Sequence, residues 1–349
     1  MRRALGAREK PRYQAGMKKI RWGILGVAKI AVEKVIPAIQ KSEFMEVVAI
    51  GSRSVDKAQK AAAELGIPRA HGSYEALLAD AEVDSIYNPL PNHLHVPLTK
   101  QAARAKKHVL CEKPIALTAA EARELLKERD ENGVLIQEAF MVRTHPQWLG
   151  VRKLLREGRI GELRCVQSSF SYFNDDPANV RNMADIGGGG VYDIGCYPIT
   201  TSRFLFEDEP TRVLSLIERD PKFGTDRLAT ALLDFPRGQA LFVCSTQLVP
   251  YQRTQIFGTR GRIEIEIPYN APLDRPCRIF FDDGRDYLGS GLQTLTFDTV
   301  DQYTVEAEAF ARAILEKRPA PIPLEDAVAN MAVIDAVFRS AKSGAWEKP

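Results

Sequence analysis

Cysteine is scarce in this chain: five in 349 residues, Cys111, Cys165, Cys196, Cys244 and Cys277, an odd number without any Cys-x-x-Cys spacing. A disulfide framework and a thiolate zinc site are therefore not expected, and the thiols read as those of a reduced, cytoplasmic protein. Histidine is as rare, five residues without metal-ligand spacing, so no metal site is expected. No apolar run approaches the roughly 18 residues of a membrane span. Internal repeats and low-complexity tracts are absent, which excludes collagen, coiled coils and global disorder.

An ordinary globular composition remains, 45% apolar and 27% charged. At roughly 150 residues per domain the length suggests two domains. The net charge of +3 hides an asymmetry. Arg2, Arg3, Arg8, Lys10, Arg12, Lys18, Lys19 and Arg21 against Glu9 leave residues 1–21 at +7, and so the rest at −4. A mildly acidic body is a poor partner for a polyanion, so nucleic acid is not expected. Residues 1–17 are expected to be a disordered basic extension; they lack the apolar stretch of a secretory signal.

From Lys18 to about Glu138, strand and helix signals alternate. Strands are expected at 20–25, 46–50, 83–87, 108–111 and 134–137. Ser54 and Gly66 bracket one helix, Thr118 and Glu121 form a capping box for another, and Pro37 interrupts the first. This rhythm predicts a Rossmann-type α/β domain over 18–140, a parallel sheet with helices on both faces. After about Trp148 the rhythm changes to strand after strand (163–173, 211–218, 229–235, 239–247, 262–267, 278–281). An α+β domain is expected over 141–349, with a large, mostly antiparallel sheet open on one face. Two helices, about 301–317 and 324–343, close the chain and can pack back on the first domain.

The first strand ends in a glycine turn. Against G-x-G-x-x-G it supplies Gly26, Ala28 and Ala31, with Val27 between the first two. Such a turn seats a pyrophosphate at the N-terminus of the following helix. The second strand ends Ile50-Gly51-Ser52-Arg53-Ser54, with no acid to take a ribose 2′-hydroxyl. Arg53, Ser52 and Lys57 suit a 2′-phosphate, so NADP is expected over NAD. On the same sheet edge, Pro89, Leu90 and Pro91 stiffen a segment from which Asn92 and His93 can reach a ribose or amide. The fifth strand ends in Glu112-Lys113-Pro114, placing a lysine at the ligand crevice.

Gly-Ile-Leu-Gly at 23–26, Pro-Leu-Pro-Asn-His at 89–93, Glu-Lys-Pro at 112–114 and Gly-Gly-Gly-Gly-Val-Tyr-Asp-Ile-Gly-Cys-Tyr-Pro at 187–198 together resemble the glucose–fructose oxidoreductase/inositol dehydrogenase (Gfo/Idh/MocA) family. The resemblance runs from Lys18 to the final helix. It implies that Asp193 and Tyr197 act with Lys113 on a substrate. Many members carry histidine where this chain has Tyr197. The chain is therefore similar to the branch with glucose–fructose oxidoreductase, NADP-dependent xylose dehydrogenases and dimeric dihydrodiol dehydrogenases. At i and i+4 of a helix, Asp193 and Tyr197 share a face. As hydride leaves carbon, Tyr197 would accept the hydroxyl proton; a phenol titrates near pH ~10, so a neighbouring cation, Lys113, is required. Asp193 would orient hydroxyls and offset Lys113.

Arg143 and His145, on the segment leaving the last Rossmann strand, and Arg181, before the glycine run, are candidate substrate contacts; Phe170 and Tyr172 are candidates to line the pocket. The resemblance implies an NADP-dependent enzyme acting on a sugar or cyclic polyol, an aldose 1-dehydrogenase for D-xylose or D-glucose first. Alternatives are a trans-dihydrodiol dehydrogenase, an oxidoreductase that retains and recycles its NADP, and a non-catalytic NADP sensor. A homodimer or homotetramer through the second-domain sheet is expected.

Overall fold

The structure, a computed structural model, describes residues 19–349; the basic extension of residues 1–17 lies outside the described residues. The chain forms two compact units, one from 19–141 with Asp301–Val328, the other from Val142–Val300 with Ala329–Pro349.

In the first unit, β1 (Ile20–Leu25), β2 (Met45–Gly51), β3 (Arg69–His71), β4 (Ser85–Asn88), β5 (His108–Glu112) and β6 (Ile136–Ala139) form one sheet. Its order is β3-β2-β1-β4-β5-β6, parallel throughout. The order reverses between β1 and β4, and there the carboxyl ends of the strands open a ligand crevice. β1, β2, β4 and β5 are buried along most of their length because both faces are covered. Their covers are α1 (Ile36–Gln40), α2 (Val55–Leu65), α3 (Tyr74–Leu78), α4 (His95–Arg104) and α5 (Ala119–Asn132). Ser54 and Thr118 accept the amides of Lys57 and Glu121, and left-handed Gly66 and Gly133 end the two helices they cap. A π-helical turn, Ala31–Val35, precedes α1. Pro37 has no N–H and its ring crowds the carbonyl four residues back, so the helix widens just ahead of it.

The second unit contains α6 (Pro146–Arg156), β7 (Leu163–Phe173), α7 (Cys196–Phe206) and seven further strands. These are β8 (Arg212–Arg219), β9 (Asp226–Phe235), β10 (Gly238–Ser245), β11 (Gln247–Gly258), β12 (Arg262–Ile265), β13 (Cys277–Asp282) and β14 (Gln293–Phe297). The sheet order is β14-β13-β12-β11-β7-β10-β9-β8; β7 and β10 pair parallel and every other neighbour is antiparallel. Val166, Ser168 and Phe170 of β7 and Ala240, Phe242 and Cys244 of β10 are buried on one face. On the opposite face Cys165, Gln167, Ser169, Ser171, Leu241 and Val243 are only half-buried.

Of the closing helices, α8 (Gln302–Leu315) joins the first unit. Its Phe310 meets Trp22 of β1 at 6.0 Å between ring centroids, and Thr304 donates to the Ala38 carbonyl at 2.9 Å. α9 (Leu324–Ser343) is tied to β8 where the Ser215 hydroxyl donates to the Val337 carbonyl at 2.6 Å and the Ser215 amide donates to Ser340 Oγ at 3.0 Å. Among the described residues no helix is long and apolar enough to cross a membrane.

Candidate active site

Gly26 follows β1 with φ +79° and donates its amide to the Gly51 carbonyl at 2.7 Å. A β-carbon there would lie 2.8 Å from Leu90 Cδ2, so the turn needs glycine for both its conformation and its neighbour. Val27 is exposed and Ala28 half-buried, and the amides at the start of the following helix precede its first intrahelical bond, Val32 N–H to Ala28. Ala31 is fully buried in the core, the small residue that lets helix and strand approach. This geometry fits a dinucleotide pyrophosphate. At the tip of β2, Ser52 is nearly buried; its amide donates to His71 and its hydroxyl accepts from the Ser54 amide. Arg53 and Lys57 are exposed, and Gly51-Ser-Arg-Ser-Val55 contains no carboxylate.

The Lys113 loop is built on hydrogen bonds. Glu112 accepts the Tyr87 hydroxyl at 2.7 Å and the Lys113 amide at 3.2 Å. The Lys113–Pro114 bond is cis. The Ile115 amide reaches buried Glu138 at 2.8 Å. His95, buried, contacts the Pro114 and Leu90 carbonyls at 2.7 and 2.6 Å, tying the lysine loop to the Pro89–Pro91 segment. Burial pushes the His95 imidazole down to about pH 4. Pro89 and Leu90 are buried, while Asn92, His93, Glu112 and Lys113 are half-buried at the carboxyl edge of the sheet.

In the second unit the glycine run leads into a π-helical turn, Val191–Gly195, and then α7. An uninterrupted α-helix is therefore not what carries Asp193 and Tyr197. Pro198 lacks an N–H, and the helix again widens just ahead of it. Asp193 Oδ2 accepts the Tyr172 hydroxyl at 2.6 Å and Arg181 Nε at 2.8 Å. Its side chain is 13% exposed. Arg181 is held charged chiefly by Asp193, with Tyr197 contributing to the same field. Burial first, then the charge of Asp193, keeps the Tyr172 phenol protonated well beyond its usual range. Within its own unit, then, the cation facing Asp193 is Arg181.

Tyr197 is 6% exposed. Its ring meets Phe170 edge-on at 5.7 Å and Tyr269 at 5.4 Å, and Tyr269 stacks on Phe170 at 4.7 Å and on Trp148 at 6.3 Å. Trp148 donates to the Pro268 carbonyl at 2.7 Å. This aromatic group fixes the plane of the phenol. Tyr269 and Trp148 escape a sequence reading because one lies in a loop and the other opens a helix far from the glycine motif.

Lys113 belongs to the first unit and Asp193, Tyr197 and Arg181 to the second. Of the softer candidates, Arg143 donates to Thr200 at 3.2 Å and lies over the Phe204 ring at 4.6 Å, packed on α7. His145 is buried and caps α6 by accepting the Gln147 amide at 3.2 Å; burial lowers its pKa to about 4. Among the described residues no cluster of potential metal ligands occurs.

Residues 20–140 match the family model of the oxidoreductase family with an NAD-binding Rossmann fold, and residues 148–264 match the GFO/IDH/MocA C-terminal domain. An uncharacterised oxidoreductase of Rhizobium meliloti is 47% identical over 95% of this chain and 99% of its own length. A D-xylose 1-dehydrogenase (NADP(+)) of Haloferax volcanii is 39% identical over 93% of this chain and 98% of its own. A 3-ketoreductase of Actinomadura kijaniata, solved with NADP and TDP-benzene, superposes with a TM-score of 0.86 at 30% identity, covering 93% of this chain and 98% of that one. The chain belongs to the Gfo/Idh/MocA family and is an NAD(P)-dependent oxidoreductase.

Proposed function

We propose that the chain is an NADP(H)-dependent dehydrogenase or reductase acting on the CH–OH carbon of a sugar or cyclic polyol, with an aldose such as D-xylose or D-glucose oxidised at its anomeric carbon. The basic, acid-free tip of β2 supports NADP over NAD, with Arg53, Ser52 and Lys57 toward the 2′-phosphate. Gly26, Val27 and Ala28 would hold the pyrophosphate; Pro89, Leu90, Asn92, His93 and Glu112 border the nicotinamide end. The nicotinamide, when bound, supplies a hydride acceptor at its C4 carbon.

The remaining work falls to side chains. Tyr197 takes the hydroxyl proton at its phenolic oxygen as the carbon loses hydride, and returns it in the reverse direction. The Lys113 ammonium stabilises the alkoxide character that develops on the substrate oxygen and favours the phenolate. Asp193, aimed by Tyr172 and Arg181, accepts hydrogen bonds from neighbouring substrate hydroxyls. One observation carries this reading: Tyr197 is locked by aromatic contacts on the same helix that carries an Asp193 oriented by two donors. The D-xylose dehydrogenase among the relatives supports the substrate class. Absorbance at 340 nm with NADP⁺ and a panel of aldoses tests it. Tyr197→Phe should lower kcat 10²–10⁴-fold, the usual worth of a general acid–base, with NADP binding within twofold. A variant that keeps most of its kcat removes the acid–base role.

A further inference from the structure

The run Gly187–Gly190 resembles a phosphate loop in composition, yet the atoms that approach it come from the protein itself. A β-carbon on Gly188 would lie 2.6 Å from the carbonyls of Arg181 and Met183, and one on Gly189 would lie 1.9 Å from Asp226 Oδ1. The backbone is folded onto the loop that carries Arg181, with the Gly189 amide donating to the Arg181 carbonyl at 2.8 Å and the Gly188 amide to Met183 at 2.9 Å. Behind the run stands Asp226, the first residue of β9, 2% exposed. Its Oδ2 accepts the amide of Val191, the first residue of the π-helical turn, at 2.5 Å. Only glycines leave room for a carboxylate this close.

We propose that Asp226 is a positioning residue: its buried carboxylate anchors the start of the helix that carries Asp193 and Tyr197 and so sets where those two side chains stand. The inference rests on the assignment of Tyr197 and Asp193 to the reaction. An ionised carboxylate is the stronger acceptor for an amide at a helix N-terminus, both as a charge-assisted bond and against the helix dipole. The anchor therefore loosens when Asp226 gains a proton. Burial raises its carboxyl to about pH 6 from the ordinary 3.8, against the lowering effect of the amide bonds. The charge that acts on it is that of Arg219 of β8; Cys244 of β10 interacts with it and, on its other side, with Asp193 and Cys196 of the helix; Arg227, its neighbour, is turned to Glu218. Cys244 is pushed far above neutrality by burial and does not titrate in this range.

The sign for stability is opposite to that for activity. Because the folded state holds the proton more tightly than the unfolded chain, the contribution of Asp226 to stability is greatest below about pH 4 and is lost as pH rises through about 6. The ionised anchor is kept at a cost to the fold.

Asp226→Asn keeps an acceptor oxygen and cannot ionise. In the wild type kcat should fall below about pH 6; in Asp226→Asn that limb should vanish while kcat at pH 8 drops about tenfold and the NADP Kd stays within twofold. Relative to the variant, the wild-type Tm should decline from pH 4 to pH 7. If the variant does not fold, hydrogen exchange of the wild-type segment 187–195, corrected for intrinsic rates, is the second readout. Its protection should fall at least threefold below pH 6. An acid limb that persists unchanged in Asp226→Asn, or protection that is flat with pH, overturns the anchor. Should Tyr197→Phe stay active, the acid–base reading fails by itself, and exchange at Val191 still judges the anchor.

Discussion

Substituting Gly189 by alanine forces a collision whose size can be worked out. The new β-carbon would sit 1.9 Å from Asp226 Oδ1, where real β-carbons are essentially never within 3.0 Å, so the carboxylate must retreat by about 1.1 Å. At φ +119° the backbone is also outside the regions alanine adopts freely. That strain costs about 1–3 kcal/mol. Losing the Val191 bond in a buried setting costs about 1–3 kcal/mol more. Together they predict roughly 2–6 kcal/mol, or roughly 4–24 °C in Tm at roughly 2–4 °C per kcal/mol for a unit of this size. Gly224→Ala in the same unit is the control: its φ is +71° and nothing lies within 4 Å of the added carbon. It should cost roughly 1–2 kcal/mol, the left-handed penalty alone. Thermal melts of both variants, followed by circular dichroism, decide the matter. If Gly189→Ala melts within 1 °C of Gly224→Ala, the close packing of Asp226 behind the run is refuted.

Two further outcomes are expected. Arg53→Asp should lower the NADP/NAD ratio of kcat/KM by at least tenfold, since it removes the cation and adds a ribose acceptor; an unchanged ratio would show that Arg53 does not face the 2′-phosphate. A homodimer or homotetramer through the outer face of the large sheet should appear in light scattering, because Leu216 of β8 is 77% exposed and Val249 of β11 74%. A mass near the 38.9 kDa of one chain would rule it out.

Much of this architecture is legible in the chain because local signals and tertiary demands agree. The apolar runs of β1, β2, β4 and β5, the Ser54 and Thr118 caps and the left-handed Gly66 each mark their element without help from elsewhere. Three strands are not legible. β3 is three half-buried residues, Arg-Ala-His, stabilised by pairing with β2 and not by an apolar pattern. β11 contains Pro250 and a polar run, and β14 buries only Phe297; both form because β7 and β13 offer edges to pair with. The site divides the same way. Lys113, Asp193 and Tyr197 lie in motifs, whereas Tyr269 and Asp226 reach the helix from elements 72 and 35 residues away, a closeness that only folding creates.

The two glycine turns illustrate how similar composition serves different ends. At Gly26 the nearest atom to an added β-carbon is the tip of the Leu90 side chain, which can give way, and no carboxylate or carbonyl oxygen lies within 4 Å of it. At Gly188 and Gly189 the near atoms are two carbonyl oxygens and a buried carboxylate, which leave no space for a phosphate and would repel one. The second turn already has its anion, Asp226, supplied by the fold. Each turn leads into a π-helical segment followed by a proline, Pro37 in one case and Pro198 in the other. In an α-helix, position i+4 stands about 40° past position i; the wider turn swings it back the other way, so Asp193 and Tyr197 remain neighbours on one face while residues at i+3 fall further from it. The widened turn thus preserves the pairing that the four-residue spacing implies, and the anchor at Val191 sets its height along the helix axis.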